Sequence, residues 1–133
     1  MWPEAVERIA EFVRASGAQG TIEELPADAE GPPGPTLRAA GFECDGRNVV
    51  ALVPAGRALD RDRLAAVARC RNLRPGPFPP FPFRQARVFL DGSALATRMV
   101  WLEAGSPRHF LGVAPSELAG LVQAETAHLV LED

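Results

Sequence analysis

The chain has 133 residues, 47% of them hydrophobic and 23% charged, with a formal net charge of −3, which is enough material for one ordinary globular core. No apolar run reaches the roughly 18 residues of a membrane span, and Met1-Trp2-Pro3-Glu4 opens without the apolar stretch of a secretory leader, so a cytoplasmic location is expected. Every basic residue is arginine and tyrosine is absent, which excludes Schiff-base lysine chemistry and a tyrosine acid.

In chain order, Val6, Ile9, Ala10 and Val13 recur at helical spacing and predict a helix over 3–16, opened by Pro3 and closed by Gly17 and Gly20. A short strand is expected over 21–25. Residues 26–35, rich in proline and glycine, read as a loop. Segments 37–44 and 49–53 flank Asp45-Gly46, a strong hairpin signal because both residues tolerate positive φ. Asp60 is placed to cap a helix through Arg69. Residues 75–83, Pro-Gly-Pro-Phe-Pro-Pro-Phe-Pro-Phe, predict a stiff extended loop. Strands follow over 87–91, 99–103 and 109–113, then a helix from Pro115 through Val122 and a last strand over 127–131. The expected fold class is α/β of the α+β type: one compact domain, a mixed, largely antiparallel, barrel-like sheet with packed helices.

Chemistry is sparse. Cys44 and Cys70 lack metal-ligand spacing, and His109 and His128 are the only histidines, so no metal is expected and the thiols are expected to be reduced and mostly buried. No P-loop, dinucleotide fingerprint or nucleophile elbow is present, and Ser93, Ser106 and Ser116 show no base partner in sequence. Asp60 and Asp62 are accounted for by capping. The segment from Arg57 to Arg87 holds eight arginines against two acids. It reads either as a solvated face or as a phosphate-binding patch, with Arg57, Arg61, Arg71 and Arg74 the candidates for nucleic acid. Phe78, Phe81 and Phe83 stand on the proline loop as candidates to stack a base or wall a pocket, the alternative being that they fill the core beneath it.

The ordered motifs resemble the YbaK/prolyl-tRNA-synthetase-associated family over most of the chain. They are 37–46 with 49–54, Gly56-Arg57-Ala58-Leu59-Asp60, Gly76-Pro77-Phe78-Pro79-Pro80, Val88-Phe89-Leu90-Asp91-Gly92-Ser93, Ala104-Gly105-Ser106-Pro107-Arg108 and Ala114-Pro115-Ser116-Glu117-Leu118. The resemblance implies a single editing domain over 1–133 that hydrolyses the ester of a small, wrongly attached amino acid on the acceptor end of a tRNA, without cofactor or metal. It also implies partnership with an aminoacyl-tRNA synthetase. It places Arg38 and Gly76 in the catalytic set and Phe78, Pro79, Pro80, Gly105, Ser106 and Arg108 around the substrate. Arg38 stands where the family carries lysine, Phe110 where some members carry an acid, and Pro77 and Pro82 where the loop carries glycines. Two other readings stay open: a catalytically degenerate domain that binds tRNA ends or a small ligand, and a protein-interaction module docking through the proline loop.

Overall fold

A computed structural model describes residues 1–77 and 79–132. The chain runs α1 (Glu4–Ser16), β1 (Gly20–Glu24), β2 (Leu37–Cys44), β3 (Arg47–Pro54), α2 (Arg61–Ala68), β4 (Leu73–Pro75), β5 (Arg87–Asp91), a short 3-10 turn (Gly92–Ala96), β6 (Val100–Ser106), β7 (His109–Val113), α3 (Pro115–Val122) and β8 (Glu125–Ala127). No helix is long and apolar enough to cross a membrane among the described residues.

The strands form two sheets, one ordered β1-β7-β6 and the other β4-β2-β3-β5-β8. The first is antiparallel throughout. In the second, β2 pairs antiparallel with β3 and β4, while β3–β5 and β5–β8 are parallel. The sheets meet through a parallel bridge between Thr36 and Trp101, so the barrel-like expectation holds as two sheets joined at a corner. Strand β3 lies between neighbours on both edges and is covered on both faces. Its run Val49-Val50-Ala51-Leu52-Val53 is accordingly buried throughout, as an apolar strand with a parallel neighbour should be.

Alternate residues of that sheet feed two cores. Leu37, Val50, Leu52, Val88 and Leu90 pack with Ile9 and Val13 of α1 and with the small sheet. Phe42, Val49, Ala51, Val53 and Phe89 pack under α2 through Leu64 and Ala68. Local chemistry sets the ends. Asp60 accepts from the N–H groups of Asp62 (3.0 Å) and Arg63 (3.2 Å), and Gly17 ends α1 at φ 79°. Asp91, almost wholly buried, accepts from the N–H of Leu129 (2.8 Å) and from both the N–H and hydroxyl of Ser93.

Three expectations are corrected. The loop expected over 75–83 begins one residue later, because Leu73–Pro75 pairs with the edge of β2 as strand β4. The final strand is Glu125–Ala127, paired to β5, and beyond it, among the described residues, only Val130 makes a bridge, to Leu59. Cys44 and Cys70 are joined as a disulfide with Cα atoms 5.6 Å apart. That distance suits a crosslink, whereas the expectation of reduced thiols rested on sequence spacing and expected location, neither of which fixes which sulfurs meet.

Candidate functional site

A cleft of about 610 Å³ lies at the Asp45-Gly46 turn, and two grooves of about 500 Å³ each flank the proline loop. The first of these grooves is lined by Arg38, Ala55, Pro80, Phe81, Phe83, Glu103, Gly105 and Phe110 among others. Sequence-distant pieces meet there: the start of β2, the proline loop, and the β6–β7 hairpin. The floor is aromatic. Phe81 and Phe83 are buried and stand edge-to-face with centroids 5.6 Å apart, so the rings serve the core below and the cleft above.

Arg38 is exposed and donates through Nη2 to the carbonyl of Arg57 at 3.2 Å. A guanidinium has five N–H donors, so one such bond fixes its direction and leaves most of the fork for a ligand. The sequence reading did not single out Glu103. It sits directly across from Phe110 in the β6–β7 register, and opposed residues share a face. A carboxylate is therefore present beside the position where the family resemblance expects an acid, but on the neighbouring strand. Among the described residues it makes no ion pair.

Gly105 lines the cleft at φ 93°, and a Cβ there would lie 2.9 Å from the backbone nitrogen of Val6. Glycine is demanded twice, by the left-handed backbone and by the close approach of α1. Pro79 lines the second groove, which runs between α1 and the loop and shares Pro80, Phe81 and Gly105 with the first.

The remaining sequence-named residues lie elsewhere. Gly76 packs its backbone on β2, donating to the carbonyl of Gly41 at 3.1 Å, where a Cβ would meet Glu43 N at 3.2 Å. Phe78 lies outside the described residues. Arg108 holds the carbonyl of Leu25 through Nε (3.3 Å) and Nη2 (3.0 Å), tying the hairpin to the end of β1. Ser106 does find a base: its Oγ is 2.7 Å from His109 Nδ1, and it accepts the N–H of Arg108 at 3.0 Å. His109 Nε2 points toward Glu24 Oε1 at 3.5 Å without a hydrogen bond. The row resembles an acid–histidine–serine relay. It is closed over by Trp2, whose ring stands 5.5 Å from His109, and none of its members lines the cleft. Its place is that of a hairpin lock.

Three of the four named arginines are used by the protein itself. Arg57 donates to the carbonyl of Leu131 at 3.1 Å. Arg61 donates to that of Leu73 at 3.1 Å and stacks 5.3 Å over Phe42. Arg74 pairs with Glu43 at 2.6 Å. Among the described residues Arg71 alone of the four keeps its guanidinium unpaired. Cys44, Asp45 and Cys70 bring potential metal-ligand atoms within 4.8 Å of one another, but the disulfide occupies both sulfurs.

No protein-family model matches the chain, and no curated protein matches its sequence. Solved structures do share its fold. A candidate trans-editing enzyme for prolyl tRNA synthetase superposes with a TM-score of 0.85 at 20% identity, covering 99% of this chain and 100% of that one. An epitope-presenting scaffold protein gives 0.85 at 19% identity over the same shares. The hypothetical protein APE2540 gives 0.80 at 13% identity, over 93% of this chain and 99% of that one. The full-length fold is thus shared with a protein of the kind the motifs resemble.

Proposed function

We propose that the chain is a deacylase that hydrolyses the ester of a small amino acid wrongly attached to the 3′ end of a tRNA. The observation that carries the reading is the cleft in which Arg38, Glu103 and Gly105 stand around an aromatic floor, on a fold shared with a candidate trans-editing enzyme.

An aminoacyl ester offers an α-ammonium, a carbonyl and a ribose, and the cleft has a group for the first two. The Glu103 carboxylate accepts the ammonium. The open donors of Arg38 meet the carbonyl oxygen, on which negative charge grows as water adds to the carbon. The ester C–O bond then breaks, the ribose oxygen takes a proton, and the amino acid leaves as a carboxylate. A terminal ribose hydroxyl positions the water. Pro80, Phe81, Phe83 and Phe110 form an apolar wall at the side-chain end, which suits a small group of alanine, cysteine or serine size. No cofactor enters the scheme, and the partners are the charged tRNA and, with it, a synthetase.

The test is a deacylation time course on tRNA-Pro charged with alanine, cysteine or serine, beside correctly charged tRNA-Pro. Selective hydrolysis is expected, with Arg38→Ala lowering kcat about 100-fold and Glu103→Gln acting mainly on KM. Hydrolysis that survives Arg38→Ala would remove arginine from the mechanism. A second reading, binding of the tRNA end without turnover, draws on Gly76, which faces β2 instead of lining the cleft. Folded protein that binds but hydrolyses none of these species would establish it.

A further inference from the structure

The larger cavity, at the opposite end of β2 from Arg38, belongs to none of this chemistry. Its wall is formed by the β2–β3 turn, the end of α2 and the start of β5, and it presents three arginines, Arg47, Arg69 and Arg87. Arg87 is held rigidly: Nε meets Glu125 at 2.8 Å, Nη1 the carbonyl of Ala68 at 3.2 Å, and the group lies 4.8 Å over the ring of Phe89. Arg47 and Arg69 are exposed, and among the described residues their side chains make no ion pair or hydrogen bond. The one acid in the wall is Asp45, and its carboxylate already accepts the N–H groups of Arg71 (3.2 Å) and Asn72 (3.1 Å). The cavity therefore carries excess positive charge, and Asn48 and Gln85 add neutral donors to it.

The wall is also braced. The Cys44–Cys70 bridge ties the strand entering the turn to the residue after Arg69. Asp45, Arg69 and Gln85 all hold positive φ, at 51°, 55° and 65°. Such backbone costs about 1 kcal/mol or more per residue and persists where the surroundings fix it. Guanidiniums on a pre-shaped frame, with amide donors between them, suit the several oxygens of a phosphate better than a single carboxylate.

We propose that this cavity is a phosphate-binding site that receives the backbone of an RNA strand. Its link to tRNA rests on the proposed function. Cys44 lies six residues along β2 from Arg38, about 20 Å at strand rise. Successive phosphates of a nucleic-acid strand are a few ångströms apart, so the contact falls several nucleotides from an end held in the Arg38 cleft. That span passes the single-stranded terminus and reaches the first pairs of an acceptor stem.

The experiment uses an uncharged acceptor-stem RNA hairpin with its 3′ overhang, titrated by fluorescence anisotropy across a salt series, with pyrophosphate as competitor. Arg47→Ala and Arg69→Gln are each expected to weaken binding roughly three- to tenfold and to reduce the slope of log K against log salt by about one. Arg14→Ala, on the exposed side of α1, should change neither. Wild-type affinity and slope in both cavity variants would overturn the proposal. Pyrophosphate binding measured directly by calorimetry, lost in both variants while RNA binding stays intact, would overturn the RNA assignment and leave a small phosphorylated ligand. Because the RNA carries no amino acid, this outcome is independent of turnover: a protein that binds through these arginines yet hydrolyses no ester fails the proposed function and upholds this inference.

Discussion

Opening the Cys44–Cys70 bridge is expected to cost the protein a large share of its stability. The two cysteines are 26 residues apart in sequence, and the bridge closes β2, β3 and α2 into one loop. In the chain-entropy treatment a loop of this length restricts the unfolded state by about 3.5 kcal/mol at 25 °C. At about 2.1 cal/mol/K per residue, a chain of 133 residues gains about 0.28 kcal/mol/K of entropy on melting. The melting temperature should therefore fall by about 12 °C. The assay is thermal unfolding by circular dichroism with and without a phosphine reductant, alongside Cys70→Ser, chosen because Cys70 is only partly buried and its hydroxyl replacement reaches solvent. A thiol count by mass spectrometry before each scan fixes the redox state. Equal midpoints for verified oxidised and reduced protein would refute the loop argument. They would mean that the unfolded chain already keeps this segment compact when reduced, or that the bond strains the folded state by as much as it restricts the unfolded one.

Gly112→Ala should destabilise by about 3 kcal/mol, because a Cβ there would meet the Trp101 ring at 2.6 Å; a shifted Trp101 fluorescence maximum would report the displaced indole, and unchanged emission and stability would contradict the packing. Asp91→Asn should cost about 2 kcal/mol, since an amide NH2 would face a donor from Ser93 or Leu129, and urea unfolding would measure it. The Arg87 hydrogen bond, aided by its charge, holds the Glu125 carboxyl below its ordinary value. A depressed acid stabilises the folded state above its unfolded pKa, and that contribution is lost as pH falls through the folded value. NMR titration should thus find Glu125 more acidic than other exposed glutamates at low salt, with Arg87→Ala restoring it. The pair is about half exposed on each side, so its effect on stability should shrink with added salt.

What local chemistry controls was legible along the chain. The periodicity of Val6, Ile9 and Val13 set α1, the Asp45-Gly46 pair set the β2–β3 turn, and Asp60 set the start of α2. The sequence also singled out Arg38, Pro80 and Gly105, which the fold then gathered at one cleft. The remainder depended on contacts between distant segments. Glu103 became a partner of the cleft only through its register against Phe110, and a strand's sequence carries no record of which residue will lie opposite. Arg57, Arg61 and Arg74 read as open charge, yet each folds back onto a carbonyl or carboxylate that the chain brings near from elsewhere. Cys44 and Cys70 read as separate thiols because their spacing is silent about geometry, and their pairing depends on α2 packing beside the end of β2. The physical reason is common to all three cases. Helix starts and turns are stabilised by contacts within a few residues, whereas cross-strand neighbours, ion-pair partners and bridges are fixed only when the sheet closes.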